Sequence, residues 1–189
     1  LRNDTGAAWF PDGHAGRFTQ IEMIGDYSTK LGGVDLRGGI HSYNLPNGLE
    51  FPNGERGGTN ELFVAASMEV LETTPYVAWN WDFDEVKASY YRAGLTEGFA
   101  LAESLTLTLD GSVGYAASAQ SAWMYGIADA GFADLRGEIV LAWAYDERTD
   151  VTIGVHGSTM LDSTIDDWLT QLGIDGDPLW FSAGIGWKF

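Results

Sequence analysis

The chain has 189 residues, of which 27 are acidic and 10 are Lys or Arg, so that its formal net charge is −17 at pH 7. This length suits one domain, and this charge argues against nucleic acid as a partner, because such binding depends on clustered Lys and Arg. The absence of cysteine excludes a disulfide framework and thiolate metal sites, and no stretch approaches the roughly 18 consecutive apolar residues of a transmembrane helix.

Residues 1–16 carry little regular pattern. Trp9 and Phe10 precede a turn signal at Pro11-Asp12-Gly13-His14. We expect this segment to form either a short first strand or an extracellular segment. No positively charged, apolar leader precedes it, so the sequence is expected to be mature or trimmed.

From residue 18 onward, apolar and polar residues alternate with period two, which is typical of strands with one apolar and one polar face. The alternation recurs nine times, and turn-forming residues separate the segments. The predicted strands lie near residues 18–27, 34–41, 61–70, 76–83, 90–95, 105–113, 133–145, 151–157 and 179–189. The chain is therefore expected to be one continuous meander, a single domain over residues 1–189.

The predicted connections differ in length. Long ones are expected at 44–59, 117–130 and 160–178, the last with a short helix that Ser163 caps and that runs through Leu172. Short ones are expected at 72–75, 84–85, 102–104 and 146–150. Outer-membrane barrels have short periplasmic turns and longer outside loops. Counting back from a periplasmic C terminus places every long connection outside and leaves Asp84-Glu85 as one unusually short outside loop.

The last strand places Leu179, Phe181, Ala183, Ile185, Trp187 and Phe189 on one apolar face. A soluble protein with such an exposed edge strand would tend to aggregate, whereas a membrane barrel pairs the edge and turns this face to lipid. The segment resembles the terminal strand of bacterial outer-membrane barrels, whose last residue is typically aromatic. We therefore predict an all-β fold, an antiparallel up-and-down transmembrane β-barrel of about ten strands, with eight to twelve as the range, since bacterial barrels have even strand numbers.

The two faces predict two sets of functional residues. The predicted lumen-lining residues are Glu22, Asp26, Asp35, Arg37, His41, Glu61, Glu69, Asp82, Arg92, Asp110, Asp134, Arg136, Glu138, His156 and Lys188. The predicted aromatic residues at the membrane interfaces are Trp79, Trp81 and Phe83 on the outside, and Trp143, Tyr145, Trp187 and Phe189 on the periplasmic side. In a soluble barrel or sandwich the same aromatics would fill the core.

Three short motifs carry a family resemblance: Thr59-Asn60-Glu61-Leu62, Pro75-Tyr76-Val77, and Leu105 to Leu109 leading to Gly114-Tyr115. With them the chain resembles the TorF-type porin family of small proteobacterial barrels over about residues 18–189, although it lacks that family's opening strands. The resemblance implies an outer-membrane location and a passive pore, and it implies no catalytic residue.

Neither catalysis nor a bound cofactor or metal is predicted. His14, His41 and His156 lack metal-ligand spacing, and no spacing singles out one of Ser42, Ser67, Ser112 or Ser158 as a nucleophile. The aspartates of the last loop lack the ligand pattern of a calcium loop and are expected to form a solvated surface; they are Asp162, Asp166, Asp167, Asp175 and Asp177.

The predicted function is that of a small, passive, cation-preferring porin in the outer membrane of a Gram-negative bacterium, because acidic residues dominate the predicted lumen. The first alternative is a non-conducting barrel that serves as an anchor or subunit of a larger assembly, since small barrels are filled by side chains. A soluble barrel that binds an apolar ligand is the second alternative. Expected partners are outer-membrane lipid and lipopolysaccharide, the barrel-assembly machinery through the C-terminal strand, and a protein at the extracellular loops.

Overall fold

A computed structural model describes residues 21–44, 50–51, 54–55 and 58–188. The strands are β1 Ile21–Leu31, β2 Val34–Asn44, β3 Glu50–Phe51, β4 Gly54–Glu55, β5 Gly58–Met68, β6 Thr73–Asp82, β7 Ser89–Ala102, β8 Leu105–Ala116, β9 Gly131–Ala144, β10 Thr149–Met160 and β11 Leu179–Trp187. The helices are α1 Ser118–Tyr125 and α2 Ser163–Gln171. Neither of these helices is long and apolar enough to cross a membrane.

Nine strands form one antiparallel sheet in the order β1-β2-β5-β6-β7-β8-β9-β10-β11, and β3 and β4 form a separate two-stranded hairpin. Each strand of the large sheet pairs with the strands before and after it along the chain, so the sheet is an up-and-down meander, and it curls into a half-barrel. The predicted all-β, antiparallel, up-and-down class is confirmed. The predicted first strand or extracellular segment at 1–16 lies outside the described residues.

The alternating pattern separates two faces of the sheet. Large apolar side chains line one face and are widely exposed: Phe181 is 74% exposed, Ile185 78% and Ile139 51%. Charged and hydroxyl side chains line the other face and pair with one another across the strands. We call these the apolar face and the polar face.

Connections of two lengths lie at opposite ends of the sheet. At the turn end, residues 32–33, 69–72, 103–104 and 145–148 join the strands. Gly32 and Gly33 both have positive φ, at 57° and 89°, which the two-residue hairpin between Leu31 and Val34 requires. At the loop end, the segments 45–57, 83–88, 117–130 and 161–178 join the strands. The three connections predicted to be long therefore lie at one end of the sheet, and the connection predicted to be short at 84–85 lies at that same end, where it spans residues 83–88.

The turn at 145–148 is held by one carboxylate. Asp146 Oδ1 accepts the backbone N–H groups of Arg148 and Thr149, both at 2.8 Å. These bonds favour the charged carboxylate and hold the pKa of Asp146 below its usual range. Asp146 thereby fixes the hairpin between β9 and β10.

Both helices lie in loop-end connections. The helix expected from Ser163 to Leu172 is present, but its cap is Asp162, whose carboxylate accepts the N–H groups of Thr164 at 2.8 Å and Ile165 at 3.2 Å. The segment 117–130, expected to be a loop, contains α1, which ends at Gly126 with φ 85°. The loop prediction was wrong for this part because the turn signals there are small residues that a helix also accepts.

The two helices enclose a small apolar core against the strands. Its buried members are Tyr90, Ala116, Tyr125, Ala133, Ile165 and Leu169. Trp168 Nε1 donates to the backbone oxygen of Tyr125 at 3.1 Å, which joins α2 to the end of α1. Tyr90 and Ala116 lie on the polar face, so the helices fold over that face at the loop end.

Candidate functional site: the concave polar face

The polar face is the concave face of the half-barrel, because its side chains reach over intervening strands. Tyr76 OH on β6 donates to Asp110 Oδ1 on β8 at 3.0 Å, passing over β7. Arg92 Nη2 on β7 lies 2.7 Å from Asp134 Oδ1 on β9, passing over β8. Side chains on a convex face diverge, so such contacts place the centre of curvature on the polar side.

Glycines in the bridged strands make both contacts possible. Gly94 on β7 lies beneath the ring of Tyr76, and a Cβ there would be only 2.6 Å from Tyr76 Cε1. Gly114 on β8 lies beneath the hydroxyl of Tyr90, and a Cβ there would also lie 2.8 Å from Asp134 Oδ2. A side chain at either position would collide with the ring that bridges the neighbouring strands.

Asp134 is the centre of the most buried polar cluster and is 1% exposed. It accepts from Tyr90 OH at 2.6 Å and from Tyr125 OH at 3.4 Å, and its Oδ1 lies 2.7 Å from Arg92 Nη2 and 3.3 Å from Arg136 Nε. Arg92 also donates to Ser112 Oγ at 2.9 Å and contacts the Tyr90 hydroxyl. A buried carboxylate with this many donors is stably charged and ties β7, β9 and α1 together.

Tyr125 is the one member of this cluster on a helix. Burial raises the pKa of its hydroxyl, and the charge of Asp134 adds to the rise. The hydroxyl therefore stays protonated and acts as a donor. This bond holds the end of α1 against the polar face.

Asp82, also predicted to line the lumen, instead binds the connection between β6 and β7. It is 1% exposed, and its Oδ2 accepts from Thr59 Oγ1 at 2.5 Å. Its Oδ1 accepts the N–H groups of Asp84 and Val86, both at 3.0 Å. Asp82 thus shapes the segment 83–88, and its charge is shielded from the concave space.

Glu22, His41 and Glu61 come together on β1, β2 and β5. His41 Nε2 lies 2.9 Å from Glu22 Oε2, and its ring stacks on Tyr43 with centroids 3.9 Å apart. Glu61 is 6% exposed and lies directly opposite Asp82 in the register of β5 and β6. This corner of the polar face is rich in carboxylates.

Ion pairs between neighbouring strands continue toward the turn end. Arg37 Nη2 lies 2.7 Å from Asp26 Oδ2, and Lys30 Nζ lies 3.2 Å from Asp35 Oδ2. At the other side of the sheet, Lys188 Nζ lies 2.9 Å from Asp150 Oδ2. These pairs are more exposed than the Asp134 cluster and so contribute less stability each.

Two further predicted residues lie at the middle of the sheet. Asp110 accepts from Thr96 Oγ1 at 2.6 Å as well as from Tyr76. Glu138 Oε2 lies 3.4 Å from His156 Nδ1, and His156 Nε2 lies 2.7 Å from Ser182 Oγ.

The fold thus brings the predicted lumen residues to one face, with one exception. Glu69 follows the end of β5 and is exposed in the turn. The predicted lumen-lining set omitted polar-face residues that lie at strand ends or carry no net charge: Lys30, Tyr43, Tyr76, Tyr90, Asp150 and Ser182. Extending the period-two alternation by two or three residues through the turn signals would have found Lys30 and Asp150.

The predicted interface aromatics lie on the apolar face at the two ends of the sheet. Trp81 stacks near Trp79 and Phe83 toward the loop end, where Tyr91, Tyr115 and Phe132 extend the row. Trp143 and Tyr145 pack edge to face at the turn end, with centroids 5.1 Å apart, and Trp187 lies opposite Thr149 there. Phe189 lies outside the described residues. Their contact with lipid stays a prediction.

Within the described ranges, no group of three or more His, Cys, Asp or Glu side chains could hold a metal ion. Comparison with known proteins found no matching family model and no matching curated protein.

Proposed function

We propose that this chain is an outer-membrane β-barrel of a Gram-negative bacterium that acts as a small, passive, cation-preferring pore. The observation that carries the proposal is the contrast between the two faces of one curled sheet. An exposed apolar face of this extent is rare in a soluble monomer and is what lipid requires of a barrel exterior. The polar face, on the concave side, then becomes the lumen.

The charges on the polar face support a preference for cations. Among the described residues of the polar face, nine carboxylates have the inward register, against five Lys or Arg side chains. The carboxylates are those of Glu22, Asp26, Asp35, Glu61, Asp82, Asp110, Asp134, Glu138 and Asp150. The charge of Asp82 is shielded by its bonds to the segment 83–88, so Asp82 does not add to the field in the lumen. The basic side chains are Lys30, Arg37, Arg92, Arg136 and, directly after β11, Lys188. A lumen with this excess attracts cations and repels anions.

The same orientation assigns the partners. The apolar face would contact outer-membrane lipid, and the loop end would contact lipopolysaccharide and any protein partner outside the cell. The barrel-assembly machinery would recognise β11. The resemblance to TorF-type porins agrees with this arrangement and stays a prediction.

A specific observation favours one other function, that of a non-conducting barrel that anchors a larger assembly. The helices α1 and α2 fold over the polar face at the loop end and seal their contact with Ile165, 1% exposed, and Leu169, 6% exposed. A cavity of about 300 Å³ remains between the helices, β9 and β10, lined in part by Arg136, Met160 and Ile174. If this cap spans the mouth, the pore is closed and the loop end becomes a contact surface.

Ion conductance distinguishes the two functions. We expect the folded full-length chain, inserted in a planar bilayer under a KCl gradient, to give discrete conductance steps with a reversal potential that indicates K⁺ preference. Glu138→Gln, which removes a half-exposed inward charge, should lower that preference. Glu97→Gln is the matched control, because Glu97 has the outward register of β7, and it should leave the preference unchanged.

The pore would be rejected, and the anchor favoured, if no conductance steps are seen with protein that migrates as a folded, heat-modifiable band and resists extraction from the bilayer. A chain that stays monomeric and soluble without detergent would reject both and leave the soluble, ligand-binding barrel.

A further inference from the structure

Three side chains on the polar face of β9, β10 and β11 have an arrangement that the pore does not explain. Ser182 Oγ on β11 lies 2.7 Å from His156 Nε2 on β10. His156 Nδ1 lies 3.4 Å from Glu138 Oε2 on β9. The order hydroxyl, imidazole, carboxylate is the one by which serine nucleophiles are activated.

The two contacts agree on one tautomer of His156. If Nδ1 carries the proton, it faces the carboxylate of Glu138, and Nε2 is left as the acceptor for the Ser182 hydroxyl. Both nitrogens of a neutral imidazole are then satisfied. This is the form in which a histidine can take a proton from serine.

The surroundings hold the imidazole in this position. The indole of Trp180 stacks on His156, with centroids 5.5 Å apart and planes at 12°. On β10, Gly154 lies beneath the contact: a Cβ at Gly154 would be 2.6 Å from His156 Nε2 and 2.7 Å from Ser182 Oγ. A side chain at Gly154 would therefore separate the serine from the histidine.

We propose that Ser182, His156 and Glu138 form an acyl-transfer site that hydrolyses small, water-soluble carboxylic esters. Ser182 is exposed, so a carbonyl carbon can approach its Oγ from the concave space. Trp180 offers an apolar surface beside the serine, and the hydroxyl of Thr152, which lies over Gly184 on the same face, adds a hydrogen-bond donor. Because the site lies among charged and hydroxyl side chains on the polar face, we expect small, water-soluble esters as substrates and not long-chain lipid esters.

The chemistry needs no group beyond these and water. Ser182 Oγ attacks the ester carbonyl carbon while its proton passes to His156 Nε2. Collapse of the tetrahedral intermediate breaks the bond to the alcohol, which leaves with that proton, and an acyl-serine remains. Water then attacks the acyl carbon, gives a proton to His156, and releases the carboxylic acid as Ser182 regains its hydrogen. Glu138 acts through His156 and is a positioning residue.

The test uses the folded full-length chain with p-nitrophenyl acetate as substrate and a fluorophosphonate as covalent probe. We expect saturable release of nitrophenol and modification of Ser182, located by peptide mass spectrometry. Ser182→Ala should abolish the labelling and the saturable rate, and His156→Asn should lower kcat about 10²- to 10⁴-fold. Glu138→Gln should lower kcat with KM unchanged, which a general loss of structure would not produce.

Ser158→Ala is the matched control, because Ser158 lies on the polar face of β10 one inward position from His156, and it should keep the full rate. If the fluorophosphonate labels other residues of the wild type and not Ser182, the proposal is overturned even when a variant fails to fold. Equal hydrolysis rates in the wild type and in a folded Ser182→Ala variant would also overturn it. This test does not depend on conductance. Absence of esterase activity would leave the proposed pore intact, and absence of conductance would leave the proposed esterase site intact.

Discussion

At the scale of single residues, small side chains on the polar face decide which large ones can meet. Tyr90 reaches Asp134 across β8 because Gly114 leaves its path open. Tyr76 reaches Asp110 across β7 above Gly94 in the same way. The curvature of the sheet and the pairing of its charges therefore depend on positions that carry no side chain at all.

Gly114→Ala should destabilise the fold. The added methyl group would overlap the Tyr90 hydroxyl and crowd Asp134 Oδ2, and overpacking of this kind typically costs about 1–3 kcal/mol. Urea unfolding of the protein in lipid vesicles measures the change in the free energy of unfolding. Gly111→Ala in the same strand is the control, because a Cβ at Gly111 would meet no atom within 4 Å. Equal stability of the two variants would contradict the bridging role of Tyr90.

Asp134→Asn should destabilise the fold more strongly, because it leaves Arg92 buried without its closest counter-charge. Loss of one partner of a buried ion pair costs about 3–5 kcal/mol. Asp150→Asn breaks the exposed pair with Lys188 and should cost at most about 1 kcal/mol. The same unfolding experiment compares the two, and similar losses would mean that the Asp134 cluster is hydrated rather than buried.

At the scale of elements, α2 depends on one capping side chain and two apolar contacts. Asp162 accepts two N–H groups of the first turn, and Ile165 and Leu169 bury the helix against the strands and α1. A helix of this length is marginal in isolation. Its position over the polar face therefore rests on its cap and on this core.

Asp162→Ala should loosen α2 without unfolding the sheet, since loss of an N-cap costs about 0.5–2 kcal/mol. Faster amide hydrogen exchange confined to residues 163–174 is the expected result. Asp167→Ala, which removes an exposed carboxylate of the same helix, should leave exchange nearly unchanged. If α2 narrows the mouth of a pore, Asp162→Ala should also enlarge the conductance step or make it noisier, and protected amides with an unchanged step would contradict the role of this cap.

At the scale of the whole molecule, the two faces of the curled sheet differ in polarity and therefore suit different surroundings. Large apolar side chains such as Phe181 and Ile185 are exposed along the outside, while the ion pairs lie on the concave side. The turns and the longer loops lie at opposite ends. This combination is the basis of our proposal that the sheet crosses a membrane with the loop end outside.

A pair of adjacent substitutions in the middle of β9 tests this orientation. Ile139 is 51% exposed on the apolar face, and Val140 is opposite Gly154 and Thr108 on the polar face. Ile139→Arg should lower stability in lipid vesicles by about 2–4 kcal/mol, as expected near a bilayer midplane, whereas Val140→Arg should be tolerated beside Glu138. The reverse order would mean that the apolar face is a protein interior.

By itself, the sequence determined the strand-rich class, the order of the nine strands, the residues on each face and the end of the sheet at which the long connections lie. These properties follow from a local periodicity of two and from turn residues, which need no knowledge of distant contacts. Only the tertiary structure decided which polar residues meet. Tyr90 and Asp134 are 44 residues apart and His156 and Ser182 are 26 apart, and their contacts depend on strand register, on the curl of the sheet and on glycines in the strands between or beneath them. Helix α1 also required the fold, because its short, weakly patterned segment becomes stable through Tyr125 and the core that α2 completes.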